Sequence, residues 1–108
     1  MTTMIPSGAD LPIACTLDPA EYARRLDTLL PGLVAKAESA EVLPDGVCWS
    51  FRRSDELMLV LAAVIEAERR CCPFLRFQVT GEPSDSPVVL EVTGPPGTRG
   101  FLERLVAR

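Results

Sequence analysis

Five short segments of the chain alternate between apolar and polar residues, as a β-strand with one buried face requires. They cover residues 12–17, 38–43, 47–52, 74–80 and a last stretch that contains Val88, Leu90 and Val92. Alternation of this kind is typical of an antiparallel sheet with one face packed against the core. The pattern therefore predicts an α+β domain in which helices cover one face of a mostly antiparallel sheet.

Three helical segments accompany these strands. The first begins at the capping sequence 18–21 and either ends near Leu30 or kinks at the Pro-Gly pair that follows. The second covers 54–72, and the third covers 98–107. The resulting order is βαββαββα. We expect a ferredoxin-like split βαβ core with an added hairpin strand and a terminal helix.

The length of 108 residues and the apolar content of 47% suit one compact domain. Residues 1–11 mix Pro, Gly, Ser and Thr without periodicity, so we expect a flexible leader before a single domain over 12–108. The sequence has neither a signal-peptide pattern nor a run near the roughly 20 apolar residues of a membrane span. We therefore expect a cytoplasmic protein that does not enter the membrane.

The charged residues argue against a nucleic-acid partner. The net charge is −4, and the 11 basic residues are dispersed rather than clustered into a phosphate-binding face. Histidine is missing, which removes the usual general base and the commonest nitrogen ligand for metals. Four cysteines in a chain without an export signal are expected to be reduced thiols. They are the best candidates for chemistry.

The second helix has a carboxylate in its apolar stripe. Steps of four and three predict the buried positions Leu57, Leu61, Val64, Glu68 and Cys71. Glu68 also lies three and four residues before Cys71 and Cys72, so the three side chains converge within one turn. A buried carboxylate needs a hydrogen-bond donor, a metal or a basic partner. The structural alternative is an ion pair with Arg76 or another arginine.

The predicted topology adds a third thiol to this group. In a split βαβ core the strand after the second helix runs antiparallel to the first strand, so its beginning adjoins the end of that strand. Cys15 lies near this end, and we expect it to join Glu68, Cys71 and Cys72 in one site. Cys48 falls on the opposite face of the sheet, so we expect it to be separate and inert.

Three thiolates without an imidazole suit soft ions, namely Hg(II), As(III), Cu(I), or Zn(II) with Glu68 or water as the fourth ligand. The leading hypothesis is a site that binds such an ion for sensing, buffering or transfer, and enzymatic use of the same site stays open. A second hypothesis is a thiol redox protein that uses Cys71 or Cys72 with Cys15. A third is a dimeric interaction module with structural cysteines, assembled through the open polar face of the sheet.

Three pieces of the sequence carry a resemblance to known proteins. They are Ile13-Ala14-Cys15-Thr16-Leu17, Glu68-Arg69-Arg70-Cys71-Cys72-Pro73-Phe74 and Leu90-Glu91-Val92-Thr93-Gly94-Pro95. The pattern resembles a group of small, largely uncharacterised bacterial proteins associated with the neighbourhoods of mercury-type and other heavy-metal regulators. Glu-x-x-Cys-Cys-Pro-Phe is its specific part. The resemblance implies a thiol or metal role for Cys15, Glu68, Cys71 and Cys72, without identifying a substrate.

Overall fold

The computed structural model of the protein describes residues 19–24 and 29–106. The elements in chain order are α1 (Pro19–Arg24), α2 (Leu30–Val34), β1 (Ser39–Leu43), β2 (Gly46–Phe51), α3 (Leu57–Cys71), β3 (Arg76–Gly81), β4 (Val88–Thr93) and α4 (Thr98–Val106). The predicted leader 1–11 and the predicted strand 12–17, which contains Cys15, lie outside the described residues.

The four described strands form one antiparallel sheet in the order β1-β2-β4-β3. The predicted α+β class with a mostly antiparallel sheet is confirmed, and the architecture is consistent with a ferredoxin-like fold. Within this sheet β4 lies between β2 and β3, and it pairs Trp49 with Leu90 and Leu90 with Val79. The central strands β2 and β4 carry the sheet's fully buried side chains, as their alternation predicts.

One hydrophobic core lies between the sheet and the helices. Side chains of α2, α3 and α4 join the inner face of the sheet in a single cluster. Its fully buried members include Leu29, Leu30, Phe51, Leu61, Phe74, Leu90 and Leu102. The aromatic rings of Phe74 and Phe101 meet edge to face, with their centroids 5.0 Å apart. This packing anchors α4 next to the end of α3.

The predicted first helix differs from the structure around its Pro-Gly pair. Pro31 stands in the first turn of a separate helix, α2, with Leu29 as its extended N-cap residue. Proline is favoured at this position because the first N–H groups of a helix have no partner within it and the fixed φ of proline suits the turn. Pro31 therefore lies in a separate helix, and the break predicted near Leu30 lies at the extended backbone of Leu29.

A two-residue turn at 44–45 joins β1 to β2 and brings the backbone of Gly46 close to β4. A Cβ atom at Gly46 would lie 2.0 Å from the carbonyl oxygen of Val92 and 2.8 Å from the Cα of Thr93. Real side chains never come this close. Glycine is required at this position because the two strands leave no room for a methyl group.

Candidate metal centre

The buried stripe of α3 consists of Leu57, Leu61, Val64, Glu68 and Cys71, as the periodicity predicts. Glu68 is 0% exposed and Cys71 is 2% exposed, so a carboxylate and a thiol share the core with aliphatic side chains. Pro73 ends the helix as expected. Cys72, the C-cap residue, is also buried, and its backbone N–H donates to the carbonyl oxygen of Glu68 at 2.6 Å.

The polar atoms of this turn form a directed chain of hydrogen bonds. The Cys72 thiol donates to the Sγ of Cys71 at 3.9 Å, and the Cys71 thiol donates to Oε1 of Glu68 at 3.2 Å. The ligand atoms of the three residues all lie within 4.8 Å of one another. Two soft sulfur donors and one hard oxygen donor therefore lie close enough together to hold one metal ion, and the donor set suits such an ion.

The second oxygen of Glu68 serves another element. Oε2 accepts the backbone N–H of Leu30 at 2.7 Å, across 38 residues of sequence. Leu30 is the first residue of α2, where an N–H group has no partner within the helix. Because Pro31 has no N–H and Gly32 donates to Leu29, this bond satisfies the donor that the first turn leaves open. Glu68 thus fixes the start of α2 against the end of α3.

The two oxygens of Glu68 therefore have separate partners. The bond from Leu30 holds Oε2 on the side of α2, which leaves Oε1 directed at the two thiols. A ligand carboxylate held by a backbone donor on its other oxygen is already oriented for a metal. Sequence reasoning places Glu68 beside the cysteines but misses Leu30. The available signal was Pro31, which predicts a helix start whose free N–H groups need an acceptor.

The structure brings together three of the four predicted site residues, Glu68, Cys71 and Cys72. The fourth, Cys15, lies outside the described residues. Arg76, the predicted alternative partner of Glu68, begins β3 with an exposed side chain, whereas Glu68 is buried. Glu68 is therefore joined to a thiol and a backbone amide in the described part of the chain.

Cys48 lies on the open face of the sheet, which we define as the side of the strands that carries Cys48, Ser50, Gln78, Glu91 and Thr93. Its strand neighbours Val47 and Trp49 face the core, so Cys48 points away from the buried cysteines, as predicted. It is paired with Glu41 on one side and Glu91 on the other. Partial burial and these two carboxylates raise the pKa of the Cys48 thiol, since all three disfavour the thiolate. Cys48 is thus a poor nucleophile at neutral pH.

Comparison of the chain with protein-family models, with curated proteins and with solved structures gave no match. In the described part of the chain, no helix has both the length and the apolar character needed to cross a membrane.

Proposed function

We propose that this protein binds a soft metal or metalloid ion through Cys71, Cys72 and Glu68, with Cys15 as a third thiolate, and that it senses, buffers or transfers that ion. The observation that carries the proposal is the buried group itself. Two thiols and a carboxylate meet in the core within 4.8 Å, and the carboxylate is held in place from another helix. A purely hydrophobic helix end does not need such a donor set.

The donor types favour thiophilic ions. Thiolates bind Hg(II), As(III), Cu(I) and Zn(II) strongly, and the chain contains no imidazole that competes with them. The Sγ atoms of Cys71 and Cys72 are 3.9 Å apart, close to the ~3.8–4.0 Å that three- or four-coordinate ions with ~2.3 Å bonds to sulfur require. A linear two-coordinate ion with the same bond length needs about 4.6 Å. The separation supports an ion with at least one donor beyond the pair.

Glu68 is one such donor, and two features support Cys15 as another. Among the described strands β3 pairs with β4 alone, so its outer edge is available to the predicted strand 12–17. A strand antiparallel to β3 there would end near the beginning of β3, a few residues from Cys72. The resemblance to the bacterial group also includes Cys15. The proposed location is the cytoplasm, where thiols stay reduced and competent to bind.

Native mass spectrometry of the reduced protein, titrated in turn with Hg(II), As(III), Cu(I) and Zn(II), tests the proposal. We expect one ion per chain for at least one of the four. Cys71→Ser and Cys72→Ser each weaken that binding, since a neutral hydroxyl replaces a soft donor. Cys48→Ser is the matched control and keeps the parent stoichiometry. An unchanged affinity in both Cys71→Ser and Cys72→Ser, or no binding by the parent, refutes the metal site.

The redox hypothesis is the second candidate because Glu68 accepts a hydrogen bond from the Cys71 thiol and is positioned to take its proton. Burial of both thiols opposes it, since redox cysteines are typically accessible. Alkylation of the metal-free protein at neutral pH separates the two functions. Rapid modification of Cys71 supports a reactive thiolate, whereas slow modification that a bound ion slows further supports the metal site.

A further inference from the structure

The outer face of α3, defined by Met58, Leu59, Ala62, Ala63 and Glu66, is apolar over its first half. Leu59 is 74% exposed and Met58 is 54% exposed, and both precede the exposed Ala62 and Ala63. One exposed leucine is ordinary on a soluble protein. Adjacent large apolar residues followed by small ones on one helix face are typical of a contact surface.

The two ends of this face have opposite charges. Asp55 and Glu56 are exposed just before the first turn of α3, and Arg69 and Arg70 are exposed in its last turn. The two charged pairs are about 21 Å apart along the helix at 1.5 Å per residue. Their midpoint falls between Ala62 and Ala63, the smallest residues of the face. Glu66 lies on the basic half of this face and forms ion pairs with Arg69 and Arg70 at 3.5 and 3.7 Å. Two arginines and one glutamate leave that half with a net charge of +1, whereas Asp55 and Glu56 give the other end −2, so the two ends stay opposite in sign.

We propose that α3 pairs with α3 of a second copy of this chain, antiparallel, with a twofold axis at Ala62 and Ala63. This arrangement brings the acidic start of each helix to the basic end of the other, and it covers Leu59 with the partner's Ala63 and Glu66. A twofold interface requires one surface that complements itself, and this charge pattern does so only in the antiparallel sense. A parallel pair would place like charges together. The inference does not depend on the metal site, because Glu68, Cys71 and Cys72 lie on the opposite side of α3.

Sedimentation of the reduced, metal-free full-length protein over a range of concentrations tests the surface. We expect a monomer–dimer equilibrium in the parent protein. Leu59→Asp raises the dimer dissociation constant about 30-fold or more, since it places a charge at the centre of the interface. Val42→Asp is the matched control, because Val42 is 53% exposed but lies on β1. A strict monomer, or a dimer unaffected by Leu59→Asp, overturns the proposal, and the second result would favour the open face of the sheet.

Charge reversal tests the antiparallel sense. Two double variants give the helix the same sign of charge at both ends. The first combines Asp55→Arg with Glu56→Arg and is basic at both ends. The second combines Arg69→Glu with Arg70→Glu and is acidic at both ends. We expect each variant alone to be monomeric and an equimolar mixture to form a heterodimer. Adding Leu59→Asp to both chains abolishes the heterodimer, which excludes unspecific charge attraction. Homodimers of either variant, or a heterodimer that survives Leu59→Asp, contradict the arrangement. Circular dichroism verifies that every variant is folded.

Discussion

Glu68 combines two tasks that are usually separate. One oxygen closes the first turn of α2 through the N–H of Leu30, and the other accepts the Cys71 thiol. A carboxylate at this depth is tolerated because both oxygens have donors in the core. The same bonds orient it toward the sulfur atoms. The structural role of Glu68 therefore supports its proposed role as a ligand, and neither role excludes the other.

Replacing Glu68 by Gln should destabilise the metal-free protein by about 1–3 kcal/mol, because the amide NH₂ group replaces one of the two accepting oxygens and leaves a buried donor unpaired. Urea unfolding of the reduced protein measures the difference. Glu103→Gln is the control for the loss of a carboxylate at the surface, since Glu103 is exposed on α4 and lies outside the outer face of α3. We expect a change within about 0.5 kcal/mol for the control. Equal effects of the two substitutions would contradict the buried acceptor role.

Cys48 provides a test of the electrostatics on the open face. Burial is the largest cause of its raised pKa, and Glu91 and Glu41 add to it. Glu91→Gln removes a negative charge, so the pKa of Cys48 should fall but stay above its ordinary value. Alkylation of Cys48, followed by peptide mass spectrometry between pH 7 and pH 10, should therefore show a rate profile displaced toward lower pH. Glu103→Gln, on α4, should leave the profile unchanged. An unaltered profile in Glu91→Gln would mean that Glu91 does not act on the thiol.

At the scale of elements, α3 is predicted from its apolar stripe alone, whereas α2 is not predicted as a helix of its own. The apolar stripe from Leu57 to Cys71 is uninterrupted, and Pro73 follows its last residue closely. The periodicity and the helix-breaking proline therefore predict the same end for this helix. Pro31 stands in an equally apolar region, where the same residue either ends one helix or begins another. Here Pro31 lies in the first turn of a helix whose Leu30 N–H is accepted by Glu68, a residue of a distant helix. Local patterns contain no information about such a partner.

Because β2 and β4 approach closely at Gly46, we expect alanine to affect stability differently at Gly46 and at Gly81. Gly46→Ala should destabilise the protein by about 1–3 kcal/mol, because its methyl group would meet the backbone of Val92 and the strands must separate. Gly81→Ala, at the end of β3, meets no atom within 4 Å and should be neutral or slightly stabilising. For a domain of this size, 1 kcal/mol corresponds to about 4–8 °C in melting temperature, which calorimetry resolves. Equal melting temperatures for the two variants would contradict the contact.

For the whole molecule, the sequence predicts which side chains face the core but not which strands are neighbours. Val47, Trp49 and Leu90 are buried as their alternation requires. The position of β4 between β2 and β3 is set by long-range strand pairing. The alternation of apolar and polar residues does not determine this pairing, because it fits other strand orders equally well. Joining Cys15 to the buried thiols needs the same kind of long-range information, and it therefore remains a prediction.

Ion binding that involves distant parts of the chain should stabilise the whole fold. An ion at a hundredfold excess over its dissociation constant adds about 2.7 kcal/mol to the free energy of unfolding. This corresponds to a rise of about 10–20 °C in melting temperature at this size. In Cys48→Ser the ion should raise the melting temperature as much as in the parent protein. In Cys71→Ser and Cys72→Ser this rise should be largely lost. Each variant is compared with its own metal-free state.

Cys15→Ser is the decisive variant in this measurement. A third thiolate more than fifty residues from Cys71 would close a long loop of chain through the ion, so its loss should remove much of the rise in melting temperature. The metal-free melting temperature of the same variant separates this effect from damage to the fold. If Cys15→Ser shows the full rise, the ion is held by Cys71, Cys72 and Glu68 alone. If Cys71→Ser and Cys72→Ser also show it, the ion binds elsewhere and the proposed site is wrong.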